Sequence, residues 1–447
     1  MRLVVLGAAE SGVGAAILGV KRGFDVFVSD MGAIKPQYKQ MLTDHRLEFE
    51  EGGHTPERVL AADVVVKSPG IPDDAPMIVK LREKGIPVWS EIEFAGRYTD
   101  AKMVCITGSN GKTTTTSLIY HILYRAGYKV GLAGNIGHSL ALQVADHSFD
   151  WYVIELSSFQ LDNMYEFKAD IAVLLNITPD HLDRYGFEMQ NYVDSKMRIL
   201  QNMQPADTFI YWGQDQYIPT ELAKRKPQCQ ALAFCDEKTD GAAAYVADGN
   251  LVCLKPEPFQ FPIDRLPLIG RHNWRNAMAA AMAAMAAGVP LDVIGDAMAD
   301  FHAIEHRMEF AGNVGGVRYI NDSKATNVDA CLCALQGIET PVVLILGGKD
   351  KGNDYAPIVP LVREKCRALV YLGADNAKLH ACFDATGVSV RDTHSMADCL
   401  RACAELAQSG DTVLLSPCCA SFDLFKNMED RGDQFKSGVR AMMEEQA

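Results

Sequence analysis

The chain has 447 residues, 48% of them hydrophobic, so it is long enough for about two to four domains with sizeable cores. Its 57 Asp and Glu residues outnumber its 43 Lys and Arg residues, and the net charge of −14 is spread along the sequence. That balance argues against nucleic acid or an anionic membrane as the main partner. The twelve cysteines are typical of buried free thiols in a reducing cytoplasm, and no apolar stretch reaches membrane-spanning length.

The first third of the chain alternates short apolar runs with helical stretches. Residues 2–7 (RLVVLG), 25–30 (DVFVSD) and 63–70 (DVVVKSPG) are predicted strands. This alternation predicts a parallel sheet with crossover helices. A polar segment precedes the next strand, so we predict a first domain over residues 1–98.

The middle third, residues 99–303, repeats this logic and forms the predicted second domain. Its predicted strands are 103–107, 129–134, 151–156 and 171–178, followed by a more irregular region with shorter strands. The alanine- and methionine-rich segment 271–288 is predicted to be a closely packed helix that Gly288 terminates.

The third predicted domain covers residues 304–447, with strands at 316–323, 341–348, 368–373 and 411–417. The predicted fold class is therefore α/β with three domains. The N-terminal domain is expected to be Rossmann-like, the central one of the P-loop ATPase type, and the C-terminal one again Rossmann-like. In such sheets ligands bind at the carboxyl ends of the strands.

One loop of the central domain carries a phosphate-binding pattern. The strand MVCIT runs into Gly108-Ser109-Asn110-Gly111-Lys112-Thr113, and a helix follows. Backbone N–H groups of such a loop face phosphate oxygens, the lysine reaches the β- and γ-phosphates, and the threonine hydroxyl ligates Mg²⁺. The usual first glycine is replaced by Ile106, so on this motif alone a simple helix cap stays an alternative.

The next two strand ends add candidate metal ligands. Glu155 ends the strand WYVIE, where P-loop enzymes hold magnesium. His181 follows the strand that ends in NIT, on the same predicted edge of the sheet.

Lys196 falls inside an apolar stripe of the helix after His181. Met189, Tyr192, Val193, Ile199 and Leu200 form that stripe at spacings of three and four. An inward ammonium with an ordinary pKa of about 10.4 is unfavourable beside a metal. Three interpretations remain: the lysine contacts phosphate, it is converted by CO₂ to a carbamate that ligates metal, or it snorkels to the surface.

These segments together resemble the Mur ligases, the cytoplasmic ATP-dependent amide ligases of peptidoglycan synthesis. The resemblance rests on TGSNGKTTT, ELSSFQL, NITPDHLDRY, GRHNWRNAMAA, EHRMEF, NDSKATN and LSPCCASFDLFKN, in that order along nearly the whole chain. The short phosphate loop is that family's own form, shared with folylpolyglutamate synthases. The last two segments are most similar to the branch that adds D-glutamate.

The resemblance implies roles for the ATP side of the site. Lys112, Asn135, His181 and Lys196 would be catalytic, with Asn135 contacting the substrate acyl group. Two Mg²⁺ ions would be held by Thr113 and Glu155 and by His181 and carbamylated Lys196. The implied ATP contacts are Gly108, Ser109, Asn110, Gly111, Lys112, Thr113, Thr114, Asn273, Asn276, Arg307 and Asp322.

The resemblance also implies the other two substrates, UDP-N-acetylmuramoyl-L-alanine and D-glutamate. The UDP-substrate positions are Ser11, Asp30, Gly70, Asn135 and Ser157. The D-glutamate positions are Lys324, Thr326, Lys351, Ser421 and Met428. This chain departs from the family at Met428, where phenylalanine is common, and at Met31-Gly32, where some relatives have Thr-Arg.

The expected activity is therefore an ATP-dependent acid–amino-acid ligation through an acyl phosphate, in a cytoplasmic monomer that binds neither nucleic acid nor membrane. The nearest alternative is another Mur-type or folylpolyglutamate-type amide ligase. An NAD-dependent UDP-sugar oxidoreductase is weakly supported, because Ala9 replaces the second glycine of the dinucleotide pattern. A non-catalytic nucleotide-binding regulator is a third alternative.

Overall fold

A computed structural model of the chain describes residues 1–268, 270–301, 305–350 and 352–446. The chain divides into two compact units, Met1–Arg265 with Arg275–Ala299, and Leu266–Trp274 with Asp300–Ala447. The first unit contains two β-sheets and the second contains one.

The first unit begins with a regular alternation of strands and helices. Its elements are β1 (Arg2–Leu6), α1 (Glu10–Lys21), β2 (Asp25–Asp30), α2 (Pro36–Asp44), β3 (Glu48–Glu51), α3 (Pro56–Val59), β4 (Val64–Lys67), α4 (Pro76–Glu83), β5 (Val88–Trp89) and α5 (Glu91–Gly96). The strands are parallel, in the order β3-β2-β1-β4-β5. The order reverses at β1, which opens a crevice at the carboxyl ends of β1 and β4.

The second sheet follows directly in the same unit, to which its elements belong except for residues 271–274, which group with the second unit. Its elements are β6 (Lys102–Thr107), α6 (Lys112–Arg125), β7 (Val130–Gly134), α7 (Leu140–Asp146), β8 (Trp151–Glu155), α8 (Ser158–Leu161), β9 (Ile171–Leu174), a 3₁₀ turn (Leu182–Tyr185), α9 (Met189–Met197), a 3₁₀ turn (Arg198–Leu200), β10 (Thr208–Trp212), α10 (Ile218–Arg225), β11 (Gln230–Phe234), β12 (Ala242–Ala247), β13 (Asn250–Cys253), β14 (Phe259–Pro262), a 3₁₀ turn (Ile263–Arg265), α11 (Arg271–Ala286) and α12 (Leu291–Ala299).

The order of the second sheet is β14-β13-β12-β11-β10-β9-β6-β8-β7. The strands from β7 to β12 are parallel, and β12, β13 and β14 form an antiparallel meander. Because β6 lies between β8 and β9, the loops that follow these three strands meet at one edge. One hydrophobic core connects the two sheets, from Leu3 and Val28 to Cys105 and Ile154.

The second unit is built around the third sheet. Its elements are β15 (Glu309–Val314), β16 (Val317–Asn321), α13 (Val328–Gly337), β17 (Val342–Gly347), a 3₁₀ turn (Ala356–Ile358), α14 (Val359–Lys365), β18 (Cys366–Leu372), α15 (Ala377–Phe383), a 3₁₀ turn (Asp384–Thr386), β19 (Ser389–Thr393), α16 (Met396–Leu406), β20 (Thr412–Cys418) and α17 (Met428–Gln446). The order is β15-β16-β20-β17-β18-β19, parallel except for β15. Separate apolar clusters cover its two faces.

The predicted alternation of strands and helices is confirmed in all three sheets. The predicted boundary near residue 98 stays a prediction, and the one at 303/304 lies outside the described residues. All twelve cysteines are free thiols, as predicted. Over the parts of the chain that the structure describes, no helix is both long enough and apolar enough to cross a membrane.

Candidate active site

The loop between β6 and α6 has the backbone geometry of a phosphate cradle. Gly108 and Gly111 have φ values of +149° and +88°, which side-chain-bearing residues rarely adopt. At Gly111 a Cβ atom would also lie only 2.4 Å from Oδ1 of Asn276. Helix α6 starts at Lys112, so its first N–H groups and its dipole point toward the loop.

Lys112 bends back over this loop. Its Nζ donates hydrogen bonds to the carbonyl oxygens of Gly108, at 2.7 Å, and Ser109, at 2.9 Å. The ammonium group therefore lies over the loop where a phosphate would bind, consistent with its predicted role.

The segment Asn176–Thr178 holds the loop from the side of β9. Asn110 N donates to Oδ1 of Asn176 at 2.8 Å, and Nδ2 of Asn176 donates to the Asn110 carbonyl at 3.0 Å. Ser109 Oγ donates to the Thr178 carbonyl at 2.8 Å and accepts from Thr178 N at 2.9 Å. Sequence reasoning missed Asn176 and Thr178, although both lie in the NITPDHLDRY segment.

Glu155 ends β8 with one carboxylate oxygen in use. It is 2% exposed, and Oε1 accepts a 2.8 Å hydrogen bond from Nδ2 of Asn135. Oε2 is buried and has no hydrogen-bond partner among the described residues. A buried carboxylate oxygen needs a partner. The structure thus joins two predicted residues, Asn135 and Glu155, and leaves an oxygen suited to a cation.

Lys196 is buried against the same loop. Its side chain is 2% exposed, and its Nζ donates to the Gly108 carbonyl at 2.8 Å and to Oγ1 of Thr107 at 3.3 Å. Burial holds the pKa of Lys196 well below its usual range, and the nearby charge of Lys112 lowers it further. The inward orientation predicted from the apolar stripe is confirmed, and the surface-snorkelling interpretation is wrong.

His181 belongs to an aromatic cluster beside the loop. It has a left-handed backbone, φ +53°, and its ring lies 5.1 Å from the Phe159 ring, edge to face. Phe159 stacks on Tyr185, and Tyr185 contacts Tyr192, whose hydroxyl lies 3.1 Å from Ser109 Oγ. These contacts connect His181 to the phosphate loop through side chains that sequence reasoning did not select.

The residues predicted to bind the UDP substrate differ in the contacts that they make within the protein. Both carboxylate oxygens of Asp30 accept backbone N–H groups, from Ala8 at 2.6 Å and Gly32 at 2.8 Å. The Ser157 hydroxyl caps helix α8. Gly70 lines a cavity in the first sheet. Ser11 lies in the first turn of α1. The predicted contacts of these four residues with the UDP substrate stay predictions.

Two further predicted ATP contacts lie on α11. Asn273 and Asn276 are 2% and 4% exposed, and Asn276 reaches the phosphate loop at Gly111. Between them, Arg275 pairs with Asp236 and lies 4.0 Å from the Trp212 ring. The second asparagine therefore supports the loop directly.

The second unit contains the remaining predicted ATP residues, Arg307 and Asp322. Nε of Arg307 is buried and has no hydrogen-bond partner within the described ranges. Asp322 accepts from Ser416 Oγ at 2.9 Å and Met308 N at 3.2 Å. Burial raises the pKa of Asp322 to about 6, despite the charge of Arg307.

The predicted D-glutamate residues lie on loops of the same unit. Ser421 is 1% exposed, and its Oγ has no partner among the residues described. The Met428 carbonyl accepts from Ser323 Oγ at 2.8 Å. Lys324 and Thr326 lie in the turn after β16, where Thr326 N donates to the Lys324 carbonyl. Lys351 lies outside the described residues.

Arg431 links two of these loops and was missed in the sequence. The side chain is 1% exposed and donates to Ser323 through Nε, at 2.9 Å to Oγ, and Nη2, at 2.8 Å to the carbonyl. It also donates to the Cys419 carbonyl at 3.1 Å. Its place as the fourth residue of helix α17 gives no signal, because a charged residue there usually faces water.

A short glycine loop with a lysine over it, a helix N-terminus and a buried strand-end carboxylate define a nucleotide-binding α/β protein of the P-loop kind. The family models that match the chain are the Mur ligase middle domain at residues 106–284, the Mur ligase glutamate ligase domain at 306–419, and the MurD N-terminal domain at 3–77. The chain belongs to the Mur ligase family.

Full-length relatives agree with this assignment. The chain is 59% identical over 442 residues to a UDP-N-acetylmuramoylalanine–D-glutamate ligase of Bacteroides fragilis, covering 99% of this chain and 100% of the relative. A ligase of the same name from Porphyromonas gingivalis is 53% identical over 98% of both chains. The solved structure of the UDP-N-acetylmuramate–alanine ligase MurC of Thermotoga maritima matches 99% of both chains with a TM-score of 0.62 and 16% identity, which shows the shared fold.

Proposed function

We propose that this chain is the ATP-dependent ligase that joins D-glutamate to UDP-N-acetylmuramoyl-L-alanine in peptidoglycan precursor synthesis. The observation that carries the proposal is 59% identity along the full length to a relative named for that reaction. The lysine-covered phosphate loop supports the use of ATP independently, as does Oε2 of Glu155, which has no hydrogen-bond partner among the described residues. We further expect a monomer acting in the cytoplasm, where ATP and nucleotide-linked precursors are available.

The phosphates of ATP bind at the loop 108–114. Its N–H groups, the start of α6 and the ammonium of Lys112 face the oxygens on which negative charge develops. We assign Asn273 and Asn276 to the adenine side of the ATP site. Arg307 is assigned as the phosphate contact and Asp322 as the ribose contact.

The donor set at this site fits magnesium. The Thr113 hydroxyl and the free Oε2 of Glu155 are hard oxygen ligands. Within the described residues no group of three or more His, Cys, Asp or Glu side chains could hold a metal ion. Mg²⁺ is commonly held by one or two carboxylates together with substrate phosphates. When bound, the ions neutralise charge on the transferred phosphoryl group.

Lys196 is the proposed ligand of a second ion, together with His181. Burial favours the uncharged form of Lys196, in which a lone pair on Nζ attacks CO₂. A new N–C bond forms, one N–H proton leaves, and the product is a carbamate anion with two oxygens. The reaction replaces the amine at the loop by a metal-binding anion.

The reaction has two steps. The alanyl carboxylate attacks the γ-phosphorus of ATP, and ADP leaves, which gives an acyl phosphate. The amine of D-glutamate then attacks the acyl carbon, the C–O bond to phosphate breaks, and the amine releases a proton. Asn135 contacts the acyl group, while Ser11, Asp30, Gly70 and Ser157 contact the rest of the UDP substrate. The D-glutamate contacts are Lys324, Thr326, Lys351, Ser421 and Met428.

An ADP-release assay tests the proposal. With UDP-N-acetylmuramoyl-L-alanine present, ADP should form with D-glutamate and not with L-glutamate, L-alanine or L-lysine. Release with another amino acid instead would favour a different amide ligase of the family, including a folylpolyglutamate-type enzyme. ATP binding without any ADP release would favour a regulator, and a nicotinamide absorbance change would favour an oxidoreductase.

A further inference from the structure

The crevice of the first sheet contains a cavity of 570 Å³. It lies at the carboxyl ends of β1, β2 and β4, where the strand order reverses. Most of its wall is apolar, from side chains such as Leu6, Met31, Ile71, Pro72, Met77 and Ile78. An apolar slot of this size with a few polar groups suits a flat heterocycle, whose orientation the polar groups then fix.

Three polar side chains form a hydrogen-bonded chain at the cavity. Ser29 Oγ lies 2.6 Å from Oε1 of Glu50 and 2.6 Å from Nδ1 of His54, and the His54 ring lines the cavity. Glu50 also accepts from the Thr55 amide at 2.8 Å and the Thr55 hydroxyl at 2.6 Å. These hydrogen bonds lower the pKa of Glu50 against the opposing effect of burial, so the carboxylate is ionised and only accepts.

The direction of the chain follows from counting protons. Ser29 has one hydroxyl hydrogen, and the Glu50 carboxylate takes it. The remaining lone pairs of Ser29 accept, so Nδ1 of His54 must carry a hydrogen and donate. Burial lowers the pKa of His54, although Glu50 and Asp30 oppose the change. The ring therefore favours its neutral form at neutral pH, and in that form the hydrogen bond to Ser29 places the hydrogen on Nδ1 and the lone pair on Nε2.

We propose that His54 determines nucleobase specificity, with Nε2 accepting a hydrogen bond from the imide N–H of a uracil ring in this cavity. The inference rests on the proposed function, which supplies a uridine nucleotide as substrate. Uracil presents a hydrogen at ring position 3, whereas cytosine presents a lone pair there. A cytosine in the same pose leaves two acceptors facing each other, and a buried unpaired group is strongly disfavoured.

The other polar groups of the cavity are consistent with this assignment. Ser68 Oγ is buried, has no hydrogen-bond partner among the described residues, and lines the same cavity. A hydroxyl can donate to a ring carbonyl, which uracil also offers. Asp30 already accepts hydrogen bonds from two backbone N–H groups, those of Ala8 and Gly32. Its main role is therefore to hold the loop after β1, and it contributes less to selection of the base.

The test compares UDP and CDP binding to the full chain by calorimetry. Wild type should bind UDP at least about tenfold more tightly than CDP, the range of one well-made hydrogen bond. His54→Phe keeps an aromatic ring but removes the acceptor. This variant should bind UDP about tenfold more weakly than wild type and bind CDP with nearly unchanged affinity. The preference for UDP over CDP should therefore disappear. His45→Phe makes the same change at an exposed ring bonded to its own helix, and should behave as wild type.

The binding and ADP-release results together separate the role of His54 from the proposed function. A UDP preference that survives His54→Phe, in a variant with wild-type melting temperature and KM for ATP, overturns the role of His54. In that case wild type would still release ADP with UDP-N-acetylmuramoyl-L-alanine and D-glutamate, so the proposed function would stand. Wild type that neither binds UDP nor releases ADP would instead remove the proposed function, and this inference with it.

Discussion

Lys112 and Lys196 donate to one and the same oxygen atom. Their Nζ atoms lie 2.7 Å and 2.8 Å from the carbonyl oxygen of Gly108. Two ammonium groups at one acceptor repel each other, and burial adds its own penalty at Lys196, whose pKa falls well below its usual range. Lys196 is therefore the member of the pair that favours loss of its charge, which is the first requirement for carbamate formation.

Lys196→Ala should lower kcat by about 100-fold or more, because it removes a proposed metal ligand from the phosphoryl-transfer site. Acetate or formate at high concentration should restore part of the activity by replacing the carbamate oxygens. ADP release measures both effects. Lys129→Ala, at an exposed lysine just before β7, is the control and should leave kcat unchanged. Full activity of Lys196→Ala without added carboxylate would contradict the carbamate.

Asn176→Ala should raise KM for ATP about tenfold with a smaller change in the KM for D-glutamate. The side chain makes two hydrogen bonds to Asn110, at 2.8 Å and 3.0 Å. Losing them destabilises the ordered conformation of the phosphate loop by roughly 1–3 kcal/mol. Steady-state kinetics with each substrate varied in turn gives both constants. Asn250→Ala, whose amide bonds only the neighbouring Asp248 carbonyl in the described structure, should match wild type. Equal increases in both KM values would instead indicate general unfolding.

Glu91→Gln should alter the pH dependence of stability. Glu91 is 3% exposed and accepts from Ser139 Oγ at 2.7 Å and Ala141 N at 2.6 Å. Burial raises its pKa from 4.5 to about 7. The folded state then binds the proton more tightly than the unfolded state, so the contribution of Glu91 is complete below pH 4.5 and is lost as the pH rises to about 7.

Glutamine does not titrate, so the melting temperature of Glu91→Gln relative to wild type should rise from pH 5 to pH 8. The corresponding change in the free energy of unfolding is on the order of 3 kcal/mol. Differential scanning calorimetry at several pH values measures it. Glu83→Gln, at an exposed residue of α4, should show a constant offset. A constant offset for Glu91→Gln as well would show that the group does not titrate in this range.

Arg431→Ala should destabilise the second unit and raise KM for D-glutamate more than KM for ATP. The guanidinium joins the loop at Ser323 to the one at Cys419, which precedes the predicted D-glutamate residue Ser421. Loss of these bonds leaves buried carbonyls without partners, at a cost of roughly 1–3 kcal/mol each. Thermal melting and the two KM values are the measurements. Arg440→Ala, exposed on the same helix, should leave all three unchanged.

Much of the fold could be predicted because the strands are local apolar runs. The run at 151–155 is buried throughout, and it was predicted to within one residue, as 151–156, because the polar residues Asp150 and Ser157 flank that run. The order of strands in the sheet was not visible. It depends on crossovers that bring β6 between β8 and β9, and no local pattern encodes that placement.

The same distinction applies to the site. Lys196 was predicted to point inward because its helix has an apolar stripe that defines a face. Asn176 and Arg431 could not be selected in this way, since each acts through a partner 66 or 108 residues away in the chain. His54 was also missed, because only the folded structure places its ring beside Ser29 and fixes the position of its hydrogen.

Gly111 has a consequence for inhibitor design. Its φ of +88° disfavours any side chain, and a Cβ there would lie 2.4 Å from Asn276, so two separate obstacles oppose each substitution. Relieving one of them by a smaller residue at 276 leaves the other in place. A compound that rests on the backbone of this glycine would therefore leave few single-substitution routes to resistance at that contact.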